Sequence, residues 1–210
     1  FSRSTELSSN SILTQEQQEA LQEIANIGMG QAGASIAQLL DHFVILSIPK
    51  IVTMQPDNVA AALLRTVGPG NISAVRQAFH GILRGEAVVI FGEQRCSDLA
   101  DLMGYEHDID HTSEQELLLD VSNIIIGACL RGIAEQMKAE IGFSAPSLIA
   151  DQVPIEKLLP ADSMDWKNAL LVEVNFSLEQ RSFACHLVIL MIEGDLKTLT
   201  DSLDRFLAAY

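Results

Sequence analysis

The sequence predicts an α+β fold, in which a duplicated repeat with pseudo-two-fold symmetry forms a mostly antiparallel sheet and places two long helices on one face. The first observation behind this prediction is a motif, an acidic residue with an asparagine three positions later, that occurs twice at a separation of 97 residues. The second is the order of periodicities, because each half begins with a long helical pattern, continues with alternating segments and ends with a shorter helical pattern. The third is a hydrophobic share of 48% with few aromatic residues, which supplies an aliphatic core.

The first half is predicted to begin with a long helix that runs from Thr14 to about Asp41. Thr14 and Gln17 match a capping box, and apolar residues recur behind them at helical spacing. The other elements predicted in this half are a strand at Phe43–Met54, turns around a short helix at 56–72, a strand at Gly81–Gly92 and a short helix at Ser97–Met103.

The second half repeats this order. Ser113 and Glu116 match another capping box, and the helix behind them is predicted to end near Glu140. The other predicted elements are an extended segment at Ser147–Val153, two hairpin strands at Asn168–Leu178 and Ser182–Ile192 that turn at 179–181, and a closing helix at Leu196–Ala209.

Composition limits the domain organisation and the class of partner. We assign residues 1–11, which are polar and rich in serine, to a disordered tail, and residues 12–210 to one domain made of two repeats, 12–108 and 109–210. The net charge of −15 argues against nucleic acid and anionic membranes as partners, and it permits a partner with a basic patch. Three scattered cysteines favour a reducing compartment, and with no signal-peptide pattern and no apolar run of about 20 residues we expect a cytoplasmic protein without a membrane span.

The repeated acid and asparagine are the residues that best fit a chemical role. Residues three apart lie on one face of a helix, so Glu23 with Asn26 and Asp120 with Asn123 each form a polar pair. An asparagine amide holds a donor and an acceptor in one plane and can orient a water molecule. Phosphoryl transfer requires such positioning more than it requires a strong base. Taken alone, Glu23 is also explained as a solvated residue, but the recurrence of a mid-helix asparagine favours a catalytic face.

Two other patterns carry no predicted site. Gly28, Gly30 and Gly33 match GxGxxG, but they lie within a helix rather than between a strand and a helix, so we reject a dinucleotide site. We expect these glycines to let a neighbouring helix or a docked protein approach the backbone closely. His107 and His111 are four residues apart in an acidic connector, and the histidines show no convincing metal-ligand spacing.

The repeated residues resemble the signature of the CheC/CheX/FliY phosphatases of bacterial chemotaxis, which reads Asp/Ser-x3-Glu-x2-Asn-x22-Pro once per repeat. The matching positions are Glu19, Glu23, Asn26 and Pro49 in the first copy, and Glu116, Asp120, Asn123 and Pro146 in the second. The sequence departs from the signature with glutamate at both leading positions and with Asp120 in place of glutamate. The leading glutamates also suit the first turns of a helix, where acids favour the helix dipole, and the prolines are most simply structural.

The resemblance implies a phosphatase that hydrolyses the aspartyl phosphate of a CheY-like receiver domain. It implies that Asn26 and Asn123 align the attacking water, while Glu23 and Asp120 bind a lysine of the receiver's phosphate site. The receiver would supply Mg²⁺, so this chain is expected to need no cofactor of its own and to hold no metal. A CheD-like deamidase is a further candidate partner.

Two other interpretations stay open. The chain could be a non-catalytic module that uses the same helices to bind a receiver, a CheD-like deamidase or the flagellar switch. It could also be the output domain of a longer response regulator, because it begins with Phe1 rather than methionine. We expect no switch-type domain after residue 210, which would disfavour the FliY branch of the family.

Overall fold

A computed structural model describes residues 13–54, 56–81, 83–92, 110–158, 169–178 and 184–209 of the chain. Helices and strands alternate as the periodicities predict. In chain order they are α1 (Gln15–Leu40), β1 (Val44–Leu46), β2 (Lys50–Met54), α2 (Pro56–Val67), β3 (Asn71–Gly81), β4 (Gly85–Gly92), α3 (His111–Gln136), β5 (Ile141–Phe143), β6 (Ser147–Pro154), a 3-10 turn at Ile155–Lys157, β7 (Ala169–Leu178), β8 (Ala184–Ile192) and α4 (Glu193–Leu207).

The described strands form one antiparallel sheet. Equivalent strands of the two halves occupy matching places in it, counted from opposite edges. Its path is β1-β7-β8-β4-β3-β5, with β2 also beside β7 and β6 also beside β3. β4 and β8 pair at the centre, where Val88 lies opposite Val188. The predicted α+β fold with pseudo-two-fold symmetry and an antiparallel sheet is therefore confirmed.

Helices cover both faces of the sheet, so the central strands are buried on both sides. Along β4, Ala87, Val89 and Phe91 face the large core beneath α1, α3 and α4. Val88 and Ile90 alternate with them and face a smaller core beneath α2 and the 3-10 turn. This two-sided burial explains why β4 is an almost continuous apolar run rather than an alternating one.

The two long helices pack side by side, and a pair of glycines makes the contact possible. A Cβ added to Gly28 would lie 2.7 Å from the carbonyl carbon of Gly132. The backbones of α1 and α3 therefore touch where neither residue has a side chain. The predicted close approach at Gly28 is confirmed, whereas a Cβ on Gly30 would have no neighbour within 4 Å.

Among the described helices, α3 alone is long and apolar enough to cross a membrane by length and composition. However, 67% of its most apolar 18-residue window is buried inside the fold. The apolar character of α3 is therefore that of a core helix.

Four predicted elements need correction. The strand predicted at Gly81–Gly92 begins at Gly85, and Gly81 is instead the last residue of β3. The strand predicted at Phe43–Met54 is broken at 47–49, where the pairing with β7 shifts by one residue. β3 was not predicted as a strand, although it is 11 residues long and pairs with three others. α3 ends at Gln136 rather than near Glu140, and it begins earlier than the predicted capping box because Asp110 is its N-cap.

The remaining predicted elements agree with the structure or lie outside the described residues. The Thr14/Gln17 capping box, the extended segment of β6, the hairpin strands β7 and β8, and the closing helix α4 are all present. The predictions that lie outside the described residues are the tail at 1–11, the short helix at Ser97–Met103, the turn at 179–181, the junction of the two repeats at 108–109, and His107.

Candidate functional site

Site one consists of Glu23 and Asn26, and both side chains lie on the exposed face of α1. Their neighbours Ile24 and Ala25 are buried in the core, because the apolar stripe of α1 faces the sheet. The helix thus presents the acid and the amide together to solvent, one turn apart.

Site two consists of Asp120 and Asn123, and it repeats this arrangement on α3. Both side chains are exposed, while Val121 and Ser122 between them are buried. Within the described residues, the carboxylates of Glu23 and Asp120 form no hydrogen bond or ion pair. Each site therefore offers, beside an amide, a carboxylate that no described residue binds.

The amide of Asn26 is held by a glutamine that is itself held by the backbone. Gln22 Nε2 donates to Asn26 Oδ1 at 3.0 Å and to the carbonyl oxygen of Pro49 at 3.0 Å. Asn26 therefore keeps its Nδ2 donors for an external acceptor, since the described residues accept no hydrogen bond from them.

Asn123 is held in the same way by a glutamine from a different element. Gln77 lies on β3, and its Nε2 donates to Asn123 Oδ1 at 2.9 Å and to the carbonyl oxygen of Ser144 at 2.8 Å. Gln77 is only 2% exposed, and its Oε1 is buried with no hydrogen-bond partner among the described residues.

The proline of each motif marks an interruption of the sheet edge that supplies these carbonyl oxygens. At 47–49 the register against β7 shifts by one residue between β1 and β2, and at 144–146 the register against β3 shifts in the same way between β5 and β6. Proline has no N–H with which to continue the ladder. Carbonyl oxygens in these intervals are thereby available to the glutamines, which gives the spacing from asparagine to proline a structural reason.

A groove of about 500 Å³ opens beside Asn26, between α1 and the first edge interruption. Its walls are mainly apolar, and two of its residues are unusually exposed for their type, Phe43 at 67% and Ile48 at 76%. Gly30 and Gly33 form its floor. An exposed apolar surface next to a polar pair is typical of a protein interaction site.

The equivalent surface beside Asn123 is different. The Arg131 guanidinium lies over the Phe143 ring, 5.7 Å from its centroid, and against Gly127, whose added Cβ would be 2.7 Å from Arg131 Nη2. At the same separation of 97 residues, Glu140 and Ala145 replace Phe43 and Ile48. Site two therefore has a smaller cavity of about 230 Å³, lined by Asn123 and the charged residues Arg131 and Glu135, where site one has an apolar groove.

Comparison with known proteins agrees with this geometry. The sequence profile of the CheC-like family matches residues 16–47, which include site one and strand β1. FliY from Thermotoga maritima has the same fold, with a TM-score of 0.67 and 17% identity over 93% of this chain and 100% of that one. The resemblance to the CheC/CheX/FliY family is confirmed.

Two further solved structures share the CheC-like fold. The chemotaxis protein CheX from Desulfovibrio desulfuricans aligns with a TM-score of 0.52 and 15% identity, over 81% of this chain and 99% of its own. The middle domain of FliM from Vibrio alginolyticus aligns with a TM-score of 0.57 and 11% identity, over 89% of this chain and 99% of its own. No curated protein matches the sequence significantly.

The two glutamines were missed by sequence reasoning, although a signal for each was present. Gln22 lies four residues before Asn26, a spacing at which glutamine and asparagine interact on a helix surface. Gln77 lies in β3, which could have been predicted from β7, because the predicted strand Asn168–Leu178 moved back by 97 residues falls on 71–81.

The other reactive side chains of the described residues are engaged or inert. His111 lies 3.2 Å from Asp151 and 3.8 Å from Glu114, and no group of three potential metal ligands occurs in the described part of the chain. Burial raises the pKa of the Cys129 thiol to about 12, so Cys129 is not a nucleophile near neutral pH. The acid and asparagine pairs remain the groups best placed for chemistry.

Proposed function

We propose that this chain is a phosphatase that hydrolyses the aspartyl phosphate of a CheY-like receiver domain in chemotaxis signalling. The observation that carries the proposal is the pair of exposed sites, each with an uncommitted carboxylate one helical turn from a restrained asparagine amide. A convex helix face cannot enclose a small molecule, but it can enter the active site of another protein. The CheC-like profile over 16–47 and the shared fold support a chemotaxis-related role.

The proposed reaction is an in-line attack of water on phosphorus. The asparagine amide binds the water and aligns it opposite the bond between phosphorus and the receiver's aspartyl oxygen. A new bond forms from the water oxygen to phosphorus, the aspartyl bond breaks, and the water proton passes to the phosphate. This positioning role needs no strong base, because the transition state of phosphoryl transfer is loose.

The carboxylate of each site would bind the receiver. Glu23 and Asp120 would pair with a lysine of the receiver's phosphate site, and the net charge of −15 favours a basic partner surface. Mg²⁺ bound by the receiver would neutralise charge on the transferring group. We therefore expect affinity to fall as the salt concentration rises.

The test is a dephosphorylation time course on phosphorylated receivers from the same genome, in the presence of Mg²⁺. The wild-type chain should accelerate hydrolysis, and a double variant, Asn26→Ala with Asn123→Ala, should fold normally and not accelerate it. EDTA should stop hydrolysis in the complex, while calorimetry of Mg²⁺ into the chain alone should show no specific binding. Full activity of the double variant, or efficient hydrolysis of p-nitrophenyl phosphate without a receiver, would contradict the proposal.

A non-catalytic binding module is the second candidate, and the apolar groove beside Asn26 is the observation that favours it. The fold of this chain is also shared with a FliM middle domain. On this interpretation the wild-type chain would bind a receiver, a CheD-like deamidase or the flagellar switch without changing the lifetime of the phosphate. Binding that survives in both asparagine variants, with no acceleration by the wild type, would favour the module.

A further inference from the structure

We propose that Gln22 and Gln77 are positioning residues for the two sites, and this proposal rests on the phosphatase function proposed above. Each glutamine links a backbone carbonyl to the asparagine amide and thereby fixes which end of that amide faces solvent. The proposal is carried by four distances of 2.8 to 3.0 Å and by the way the two halves achieve the same contact differently.

The backbone carbonyl determines the orientation of each glutamine. A carbonyl oxygen only accepts hydrogen bonds, so the glutamine atom that faces it must be the donor Nε2 rather than Oε1. This assignment follows from the partner and does not depend on telling nitrogen from oxygen in the amide. Pro49 fixes Gln22 in this way, and Ser144 fixes Gln77.

The glutamine then determines the orientation of the asparagine. The second N–H of the same Nε2 requires an acceptor, so Oδ1 of Asn26 or Asn123 must turn towards it. The Nδ2 group of each asparagine is left on the solvent side. Without the glutamine, the terminal torsion of an exposed asparagine is broad and roughly two-fold, so both ends of the amide would face the receiver in turn.

The burial of Gln77 indicates that the bridge is present although it places a polar side chain in the hydrophobic core. Its Oε1 is buried without a partner in the described part of the chain, which is unfavourable. At a separation of 97 residues the equivalent position is Val174, which is also buried and has no such defect. A polar residue that a valine could replace is expected where function requires it.

The equivalence of positions 97 apart is structural as well as sequential. Ser144 N–H donates to the Ala78 carbonyl and Ser144 Oγ accepts from Ala78 N–H, at 2.9 and 3.1 Å. Ser47 makes the same two hydrogen bonds with Asn175, each at 2.9 Å.

In the first half the glutamine is at helix position 22, whereas the second half has Leu119 there and places its glutamine on the strand instead. Two different elements supply the same bridge, which indicates that the bridge itself is what the site needs.

The central test measures site two alone, in an Asn26→Ala background, with phosphorylated receiver and Mg²⁺. Gln77→Val installs the residue that the other half already uses, and we expect kcat to fall about tenfold with an unchanged or higher Tm. Adding Leu119→Gln rebuilds the helix-borne bridge of site one and should restore kcat. A fall in kcat that Leu119→Gln does not reverse in a folded protein would overturn the proposal.

The complementary test measures site one alone, in an Asn123→Ala background. Gln22→Leu removes the bridge, and Gln22→Glu keeps its size but supplies only acceptors, so both should lower kcat about tenfold. The ¹³Cγ resonance of Asn26 in the free protein should also shift in both variants, because Oδ1 loses its donor. Unchanged kcat and an unchanged resonance would overturn the proposal. Failure of the proposed function is distinct, since it appears as full activity of the double asparagine variant.

Discussion

The two halves of this molecule have similar backbone folds but different surfaces around their asparagines. Strand pairing and edge interruption recur at a separation of 97 residues, and in both halves a glutamine links a backbone carbonyl to the asparagine. The groups around each asparagine differ: site one has a glutamate and an open apolar groove, and site two has an aspartate and Arg131 packed on Phe143.

This difference separates the groups that orient the asparagine amide from the groups that would contact a partner protein. The features that hold the amide are kept in both halves, even where this leaves Gln77 Oε1 buried with no hydrogen-bond partner among the described residues. The features that would contact a partner have changed. We infer that both asparagines are usable but that site one binds the receiver better, because Arg131 would repel a partner lysine near site two and Asp120 is shorter than Glu23.

The largest expected effect is the loss of the amide of site one. We expect Asn26→Ala to lower receiver dephosphorylation about 100-fold at that site, an effect typical of lost positioning. Asn123→Ala should lower the total rate much less, since site one carries most of it. Single-turnover rates with phosphorylated receiver measure both, and unchanged melting temperatures serve as the folding control. Equal losses in the two variants would contradict the inferred asymmetry.

The next effect concerns stability, at the contact where the halves meet. Gly28→Ala would place a Cβ 2.7 Å from the backbone of α3, and we expect it to destabilise the fold by about 1–3 kcal/mol. This contact has no symmetric copy, because the position equivalent to Gly28 is Ile125. Gly30→Ala is the matched control, since its Cβ meets nothing within 4 Å and should stabilise α1 by about 1 kcal/mol.

Urea unfolding monitored by circular dichroism measures both free energies of unfolding. If Gly28→Ala is as stable as Gly30→Ala, the two helices do not depend on this close approach.

The groove beside Asn26 gives a third prediction, in which its occupant is the receiver. Ile48 is 76% exposed and lies in a groove that Asn26 itself lines, so a receiver at site one would cover it. Ile48→Ala, which matches Ala145 of the other half, should raise KM about tenfold and leave kcat unchanged. Val52→Ala is the control, because Val52 is exposed on β2 and does not line the groove. Equal KM values for both variants would exclude the groove from the interface.

Much of the fold could be predicted because repetition and periodicity act locally. The helices, the hairpin β7–β8 and the Thr14 cap follow from spacing and from capping chemistry. β3 was not predicted, since it is buried on much of both faces and lacks a clean alternation. Pro49 was given only a structural role and the break at 47–49 was not predicted, because a register shift depends on the strand opposite.

The site was predicted in part for the same reason. Glu23, Asn26, Asp120 and Asn123 lie together on helices, so their pairing is encoded by a spacing of three residues. Gln77 reaches Asn123 from 46 residues away, and only the packing of α3 on β3 brings the two side chains together. Arg131 and the groove likewise depend on which residues flank each helix in space.

A smaller effect is expected from the carboxylate of site two. Asp120 reaches about 1.5 Å less far than a glutamate, so Asp120→Glu should strengthen an ion pair with the receiver lysine by up to about 1 kcal/mol. In an Asn26→Ala background this corresponds to a rise of about threefold to fivefold in kcat/KM. Glu23→Asp in an Asn123→Ala background is the reciprocal variant and should lower kcat/KM by a similar factor. Changes of the same sign in both variants would exclude length as the cause of the asymmetry.

The smallest effect concerns the helix caps, which also differ between the halves. α1 is capped by the hydroxyl of Thr14, whereas α3 is capped by the carboxylate of Asp110, which accepts from the Ser113 N–H at 2.8 Å. Hydrogen bonds from Ser113 hold the pKa of Asp110 below its ordinary value. A lowered pKa in the folded state means that the cap stabilises the fold above the carboxyl's unfolded pKa of about 3.9 and is lost as the pH falls through the folded value.

Asp110→Ala should therefore lower Tm at neutral pH, and its difference from wild type should shrink on acidification to about pH 3. Thr14→Ala, which removes a cap that does not titrate, should cost about 1 kcal/mol at every pH. A pH-independent difference for Asp110→Ala would show that the ionised carboxylate of Asp110 does not stabilise α3.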